Sequence, residues 1–206
     1  MASTHPLESA IGDPTWEIAE LFPRQGQWSE AEYLSLETNR LIELSDGKLE
    51  MLPMPTQAHQ LIVAFLYQKI LEFVSAGHLG LVLFAPLRVR VRDGQIREPD
   101  IVFMADAHKH RRGNEYWNGA DLVVEVVSSD DPKRDLVVKR HEYAQAGISE
   151  YWIVDPRTST MAVLKLESQR PPYVEAGVYR PGQKAASVLL EGLTIDVEAM
   201  FAAANE

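Results

Sequence analysis

The segment Asp121-Leu122-Val123-Val124-Glu125-Val126-Val127 is a continuous apolar run with one carboxylate in its middle. A run of this length, rich in β-branched residues, is typical of a central strand that is buried on both faces. Because removing an unpaired charge from water costs several kcal/mol, an ionised Glu125 needs a compensating partner there. The sequence therefore predicts that a cation, a metal ion or a proton accompanies Glu125.

The residues on either side of this run extend the same sheet. Asp100 opens a second apolar run, Ile101-Val102-Phe103-Met104. Downstream, Asp135 to Ala146 is predicted as a helix that Gly147 ends, and Glu150 to Pro156 is predicted as a further strand. The order strand, helix, strand is most simply a parallel crossover.

Asp100 and Glu125 form the first candidate site. Two carboxylates on neighbouring strands provide hard oxygen ligands of the kind that bind Mg²⁺ or Mn²⁺. The alternative is a structural ion pair of these acids with Arg97 or Lys139. The residue types alone leave both explanations open.

Local signals predict the remaining elements. An Asp-Gly turn at Asp46-Gly47 predicts a hairpin, Thr56 to Ser75 has the spacing of a long amphipathic helix, and Asp196 caps a C-terminal helix. Ala105 to Ala120 is predicted as a polar loop and Ala186 to Leu190 as a strand. With no internal repeat or linker in view, we expect one domain.

Composition limits the possible classes of protein. The chain has 206 residues, 46% of them hydrophobic, which suffices for one sizeable core; we expect an irregular arm over residues 1–26 and a single domain over residues 27–206. The absence of cysteine excludes disulfides and thiolate metal sites. No secretory signal and no apolar run long enough to cross a bilayer is evident, so we expect a cytoplasmic protein.

The net charge of −10 argues against sequence-independent binding of nucleic acid, but two local basic surfaces stand out. Alternating arginines on a predicted strand face the same side of the sheet, and a basic loop lies between Asp100 and Glu125 in the sequence. We expect both to lie beside the two acids. Both are candidate nucleic-acid contacts, and both are equally consistent with ordinary solvated faces. The candidate contact residues are Arg88, Arg90, Arg92, Lys109, Arg111 and Arg112.

An ordered series of motifs carries a family resemblance: Pro99-Asp100, Asp121 to Ser128, Asp135-Leu136 with Lys139 and Tyr143, Ala146-Gly147, and Glu150 to Pro156. This series resembles the Uma2 family of restriction endonucleases, also known as domain of unknown function 820, within the PD-(D/E)xK nuclease superfamily. The likeness extends from about Tyr33 to Phe201. It implies an α/β fold with a restriction-endonuclease-like mixed β-sheet, the long helix on one face and Asp135 to Ala146 on the other.

The resemblance also implies a function, the metal-dependent hydrolysis of phosphodiester bonds in nucleic acid, with DNA as the expected substrate. In that role Asp100 and Glu125 hold Mg²⁺ or Mn²⁺, and Lys139 orients or deprotonates the attacking water. The superfamily places its lysine two residues after the second acid, where this chain has Val127. As in the Uma2 family, a lysine on the following helix, Lys139, takes over that position.

The resemblance suggests three supporting residues as well. Glu43 is expected as an additional metal ligand, and His59 is expected either to support the site or to be a helix-cap or surface residue. Tyr143 is expected either to orient Lys139 across one helical turn or to pack as a half-buried aromatic. Because cleavage of both strands of a duplex needs two active sites, we expect a homodimer. The competing hypothesis is a catalytically silent dimerisation or regulatory module that retains the same fold.

Overall fold

The computed structural model describes residues 22–36, 40–168 and 170–205. Residues 1–21 of the predicted arm lie outside this part of the chain, so the expected domain boundary stays a prediction. The described helices are α1 (Glu30–Leu34), α2 (Gln57–Ala76), a 3₁₀ helix (Asp106–Arg111), a π-helix (Arg134–Lys139), α3 (Arg140–Gln145) and α4 (Val197–Ala203). The described strands are β1 (Ile42–Ser45), β2 (Lys48–Met51), β3 (Gly80–Phe84), β4 (Val89–Arg92), β5 (Gln95–Arg97), β6 (Ile101–Ala105), β7 (Trp117–Asn118), β8 (Leu122–Val126), β9 (Glu150–Asp155), β10 (Thr160–Glu167), β11 (Arg170–Tyr179), β12 (Lys184–Ala186) and β13 (Thr194–Asp196).

The largest sheet contains six strands in the order β11-β10-β9-β8-β6-β3. β8 and β9 pair in parallel through the crossover that contains the π-helix and α3, whereas the other neighbours pair antiparallel. All five residues of β8 are buried, as an apolar run in a central strand requires. The predicted strand, helix, strand order and the central position of this run are confirmed.

Helices cover both faces of this sheet. Alternate residues of β8 point to opposite faces, so Leu122 and Val124 pack with Ile70 of α2, whereas Val123 packs with Tyr143 of α3. Glu125, two residues after Val123, therefore lies on the face that the π-helix and α3 cover. The mixed α/β architecture with the long helix on one face and the second helix on the other is confirmed.

The long helix α2 begins at the predicted place. Thr56 is its N-cap, and its hydroxyl accepts a hydrogen bond of 3.2 Å from the main-chain N–H of His59. This cap fixes the first turn of the helix and with it the position of His59. Among the described helices, including this one of 20 residues, none is long and apolar enough to cross a membrane.

A second sheet, in the order β2-β1-β5-β4-β7, lies beside the first and supplies charged residues to it. β1 and β2 form the predicted hairpin, in which Asp46 and Gly47 have φ values of 47° and 75°. Positive φ at both central residues is the geometry that Asp-Gly favours in a two-residue hairpin turn. β1 carries Glu43, and its neighbour β5 carries Arg97.

Three predicted elements differ from the structure. Ala105 to Ala120 is not a single loop, since it contains the 3₁₀ helix and the short strand β7. The strand expected at Ala186 to Leu190 is instead β12, which ends at Ala186. The helix expected over Asp135 to Ala146 begins with a π-helical segment rather than as a regular α-helix. Local sequence patterns do not encode these hydrogen-bonding details.

The turn after β12 is held by a buried carboxylate. Glu150 accepts hydrogen bonds from the Trp152 indole N–H, the Ser187 hydroxyl and the main-chain N–H groups of Val188 and Leu189, at 2.5–2.8 Å. Glu150 is 1% exposed. One side chain of β9 therefore anchors the C-terminal segment to the central sheet.

We predict that Glu150→Gln lowers the free energy of unfolding by about 2–4 kcal/mol, because the new amide N–H₂ faces donors and leaves some of them unsatisfied. Urea unfolding measures this effect. Glu175→Gln, at an exposed position of the outer strand β11, is the matched control and changes the free energy by less than about 0.5 kcal/mol. Equal effects of the two substitutions would contradict the anchoring role.

Candidate active site

Asp100 and Glu125 lie beside each other at one end of the six-stranded sheet. β6 and β8 pair antiparallel with Ile101 opposite Val124, so Asp100, just before β6, lies next to the end of β8. Oδ2 of Asp100 accepts a hydrogen bond of 2.7 Å from the main-chain N–H of Val126. Strand register thus brings together the two carboxylates that the sequence singles out.

Lys139 reaches Glu125 from the π-helix. Its Nζ lies 2.8 Å from Oε1 of Glu125, 3.4 Å from Oδ1 of Asp135 and 3.6 Å from Oε1 of Glu43. The hydroxyl of Tyr143 donates a hydrogen bond of 2.6 Å to the same oxygen of Glu125. The carboxylate within the apolar strand is therefore compensated by an ammonium group and a phenol, both buried with it.

Burial and neighbouring charge act against each other in this pair. Burial raises the pKa of Glu125, and the positive charge of Lys139 opposes that rise. Burial lowers the pKa of Lys139, but the negative charges of Glu125, Glu43 and Asp135 outweigh it and raise the pKa overall. Because three carboxylates contact one lysine, Lys139 is held as an ammonium at neutral pH. With these partners it is a hydrogen-bond donor, not a base.

His59 contacts the other carboxylate. Its Nε2 lies 3.2 Å from Oδ2 of Asp100, the same oxygen that the main-chain N–H of Val126 contacts. Burial lowers the pKa of His59, but the hydrogen bond and the charge of Asp100 outweigh it, so the pKa is raised. The imidazole and the main-chain N–H of Val126 together fix the orientation of the Asp100 carboxylate.

The donor set fits a hard divalent cation. Among the described residues, Oδ1 of Asp100 and Oε2 of Glu125 have no hydrogen-bond donor, so each carboxylate keeps one oxygen for a further ligand. In the same part of the chain, no three His, Asp or Glu side chains form a ready-made metal cage. Mg²⁺ is commonly held by one or two carboxylates and several waters, and two acids with one oxygen each match that pattern.

Glu43 lies beside this site, but cations occupy its oxygens. Its side chain is fully buried, and it forms ion pairs with Arg97 at 3.2 Å and with Arg134 and Lys139. The main-chain N–H of Glu98 donates to its other oxygen at 2.9 Å. Burial raises the pKa of Glu43, but the three positive charges outweigh this effect and lower the pKa to about 2. The geometry favours a bracing role for Glu43, which holds Arg97, Arg134 and Lys139 in place.

Sequence reasoning named Arg97 only as a possible partner of Asp100 and Glu125, and it missed Arg134, Glu50 and Glu142. Arg97 contacts Glu142 and Glu50 besides Glu43, at 2.7 and 3.1 Å, and Arg134 contacts Glu50 at 2.7 Å. These partners come from distant parts of the chain, so no local spacing indicates them. Asp135 had a signal, because it lies four residues before Lys139 on the same helical face.

The alternating arginines are engaged in ion pairs of their own. Arg88 lies 3.6 Å from Glu98, Arg90 lies 2.9 Å from Glu30, and Arg92 contacts Asp46 at 2.7 Å. Each positive charge therefore has an acidic partner within the protein. This arrangement offers less free positive charge to a phosphate backbone than the sequence indicates.

The basic loop lies at the other end of the sheet from the two acids. Asp100 precedes β6 and the 3₁₀ helix follows it, so at about 3.3 Å per residue roughly 20 Å separate Asp100 from the start of that helix. Arg111 donates to the carbonyl of Asn118, and Arg112 lies 3.0 Å from Asp106. The expectation that this loop lies beside the acids is wrong, because it rested on sequence order and not on strand direction.

Comparisons with known proteins identify the fold and the family of the chain. A family model described as Uma2, "Putative restriction endonuclease", matches residues 30–198. The crystal structure of a "putative nuclease belonging to DUF820" from Anabaena variabilis ATCC 29413 superposes with a TM-score of 0.71 and 21% sequence identity, over 86% of this chain and 99% of that one. This likeness shows that the fold is restriction-endonuclease-like.

Two other comparisons add little. The type IIG restriction endonuclease BpuSI gives a TM-score of 0.39 at 16% identity, over 74% of this chain and 17% of that one, which is too weak to carry an argument. No curated protein matches the sequence. The family match covers most of the chain and includes every residue of the cluster around Glu125. The chain therefore belongs to the Uma2 family.

Proposed function

We propose that this protein is a metal-dependent endonuclease that hydrolyses phosphodiester bonds in nucleic acid, with DNA as the substrate. The observation that supports this proposal is the meeting of Asp100, Glu125 and Lys139 at one place, from a strand start, a strand end and a helix. Two carboxylates with free oxygens beside a positively charged donor provide what phosphoryl transfer needs, a cation site and charge stabilisation.

The residues of the site divide the chemistry among them. Mg²⁺ or Mn²⁺, when bound by Asp100 and Glu125, supplies a Lewis acid that polarises the phosphate and makes water more acidic. Lys139 donates to the substrate and offsets negative charge that develops on the phosphate. Tyr143 and His59 hold Glu125 and Asp100 in the orientation that leaves one oxygen of each free.

Cleavage of both strands of a duplex requires two such sites. A two-fold homodimer is the commonest way to provide them, so the proposal includes a homodimer acting on duplex DNA in the cytoplasm. A monomer with one site would nick a duplex or cleave a single strand.

One observation favours a second candidate function, that of a catalytically silent module. Lys139 already contacts three carboxylates, and the arginines of the neighbouring strands are paired with acids. A cluster satisfied in this way is stable without a ligand. The silent module and the nuclease make opposite predictions for metal binding and for the role of Lys139.

The first prediction concerns metal binding. We expect Mn²⁺ or Mg²⁺ to bind and raise the melting temperature, because a cation that binds only the folded state stabilises it. Glu125→Ala removes a ligand and should abolish both the heat of binding and the stabilisation. Titration calorimetry and thermal melting measure this effect, with Glu175→Ala as the control. Absence of binding heat in the wild type would contradict the nuclease proposal.

The second prediction concerns Lys139. Because an ammonium is not a ligand for a cation, Lys139→Ala should leave metal affinity unchanged and reduce the cleavage rate by about 10²–10⁴-fold. Lys139→Arg should restore little activity, since guanidinium has a different shape. Lys133→Ala, at an exposed position just before the π-helix, is the matched control.

Thermal melting without added metal distinguishes a catalytic role of Lys139 from a purely structural one. A purely structural lysine leaves buried acids unpaired when it is removed, which lowers stability by several kcal/mol. A large fall in the melting temperature of Lys139→Ala, with no metal-dependent cleavage of DNA or RNA by the wild type, would support the silent module instead.

The third prediction concerns the bracing role of Glu43 and its acid dependence. The pKa of Glu43 is lowered from 4.5 to about 2 in the folded state, so its stabilisation is complete above about pH 4.5 and disappears as the pH falls toward 2. A shift of this size corresponds to about 3 kcal/mol at neutral pH. The difference in unfolding free energy between the wild type and Glu43→Gln should shrink accordingly in urea titrations between pH 7 and pH 3. A pH-independent difference would contradict the bracing role.

A further inference from the structure

Lys139 is the last residue of a π-helix, Arg134–Lys139, that continues directly into α3. A π-helix closes its turns with i→i+5 hydrogen bonds instead of i→i+4 bonds, and such turns are rare. Uncommon backbone conformations persist where surrounding contacts hold them. We therefore expect a contact from a neighbouring element to hold the π-helical turn in its conformation.

The wide turn has a geometric effect on the side chains of the site. In a regular α-helix each residue is rotated by about 100° about the helix axis relative to the one before it. A residue four positions further along therefore lies about 40° away from the first, and each further step of four adds about 40° in the same direction. Asp135, Lys139 and Tyr143 would then be spread over about 80° of the helix surface. A π turn contains more residues than an α turn, so it offsets the drift of the first step. The three side chains are thereby brought closer to one common face of the helix.

This alignment matches the contacts of the site. Lys139 lies 3.4 Å from Asp135 and 2.8 Å from Glu125, while the hydroxyl of Tyr143 lies 2.6 Å from the same oxygen of Glu125. All four side chains are buried. A one-residue slip of the turn would rotate part of this set away from Glu125.

Tyr151, in β9, connects the wide turn to the sheet. Its hydroxyl donates a hydrogen bond of 3.0 Å to the main-chain carbonyl of Asp135, inside the π-helix. Its ring is fully buried and packs edge-on against Tyr143, with the ring centroids 5.2 Å apart. Because β9 pairs directly with β8, this hydrogen bond fixes the turn relative to the strand that carries Glu125.

We propose that Tyr151 is a positioning residue: its hydroxyl holds the Asp135 carbonyl and so keeps the π-helical turn that places Lys139 against Glu125. Within the described residues, the Tyr151 hydroxyl donates its hydrogen bond to the Asp135 carbonyl and not to either of the two free carboxylate oxygens. The proposal rests on the proposed function for its effect on the reaction rate, but its structural content can be tested without activity.

The chain provides a matched control for Tyr151→Phe. Tyr173 is also buried, packs against Tyr151 with ring centroids 6.0 Å apart, and donates a hydrogen bond of 2.7 Å to a main-chain carbonyl, that of Ile148. Tyr151→Phe and Tyr173→Phe each remove one buried hydrogen bond of the same kind. Only the hydrogen bond of Tyr151 has its acceptor, the Asp135 carbonyl, within the π-helix.

The first measurement follows Lys139 itself by NMR of the lysine ammonium ¹⁵N and its protons in the protein without added metal. In the wild type we expect a slowly exchanging ammonium resonance, which Lys139→Arg identifies by its loss. Tyr151→Phe should shift or broaden this resonance and speed amide exchange in the 134–140 segment. Tyr173→Phe should leave both unchanged although its melting temperature falls by a similar amount. Equal spectra for the two variants would overturn the proposal.

The second measurement is the rate of Mn²⁺-dependent DNA cleavage. A misplacement of about 1 Å can cost about a hundred-fold in rate, so we expect kcat to fall ten- to a hundred-fold in Tyr151→Phe, with KM unchanged. Tyr173→Phe should retain the wild-type rate, and equal rates in both variants would overturn the proposal. If the wild type cleaves no DNA or RNA, the proposed function fails, and the ammonium resonance alone decides the role of Tyr151.

Discussion

The structure depends on one carboxylate that lies within a strand buried on both faces. Glu125 is 3% exposed and has apolar neighbours along β8, so its charge needs compensation from other elements. The π-helix provides it through Lys139, and α3 provides a phenol hydroxyl from Tyr143. Replacing one of these partners alone leaves a buried group unpaired, which couples the position of the crossover helix to the chemistry of the strand.

A second layer of charges holds this arrangement in place. Glu43 binds three cations, and two of them, Arg97 and Arg134, also contact Glu50 of the hairpin. These ion pairs connect the smaller sheet to the crossover helix, in addition to the apolar packing between them. Such a network restricts Lys139 to one position, and a fixed donor is what electrostatic stabilisation of a transition state requires.

Much of the fold could be predicted from the sequence, because apolar periodicity and turn residues are local signals. The buried run at β8, the crossover to β9 and the cap of α2 at Thr56 follow from such signals. The bracing by Arg97 and Arg134 could not be predicted, since their partners lie tens of residues away. The π-helical turn was missed for a different reason: its extra width depends on contacts with β9 and not on helix propensity. The direction of β6, which separates the basic loop from the acids, also becomes clear only when the strands are paired.

The central claim is that the oxygens left free on Asp100 and Glu125 form a cation site on which the proposed reaction depends. Anomalous diffraction from crystals soaked in Mn²⁺, recorded near the manganese absorption edge, tests it most directly. The account predicts one strong anomalous peak in contact with both carboxylates, and the loss of that peak in crystals of Glu125→Gln. A map without a peak at these two residues, or a peak bound only by other acids of the chain, would contradict it.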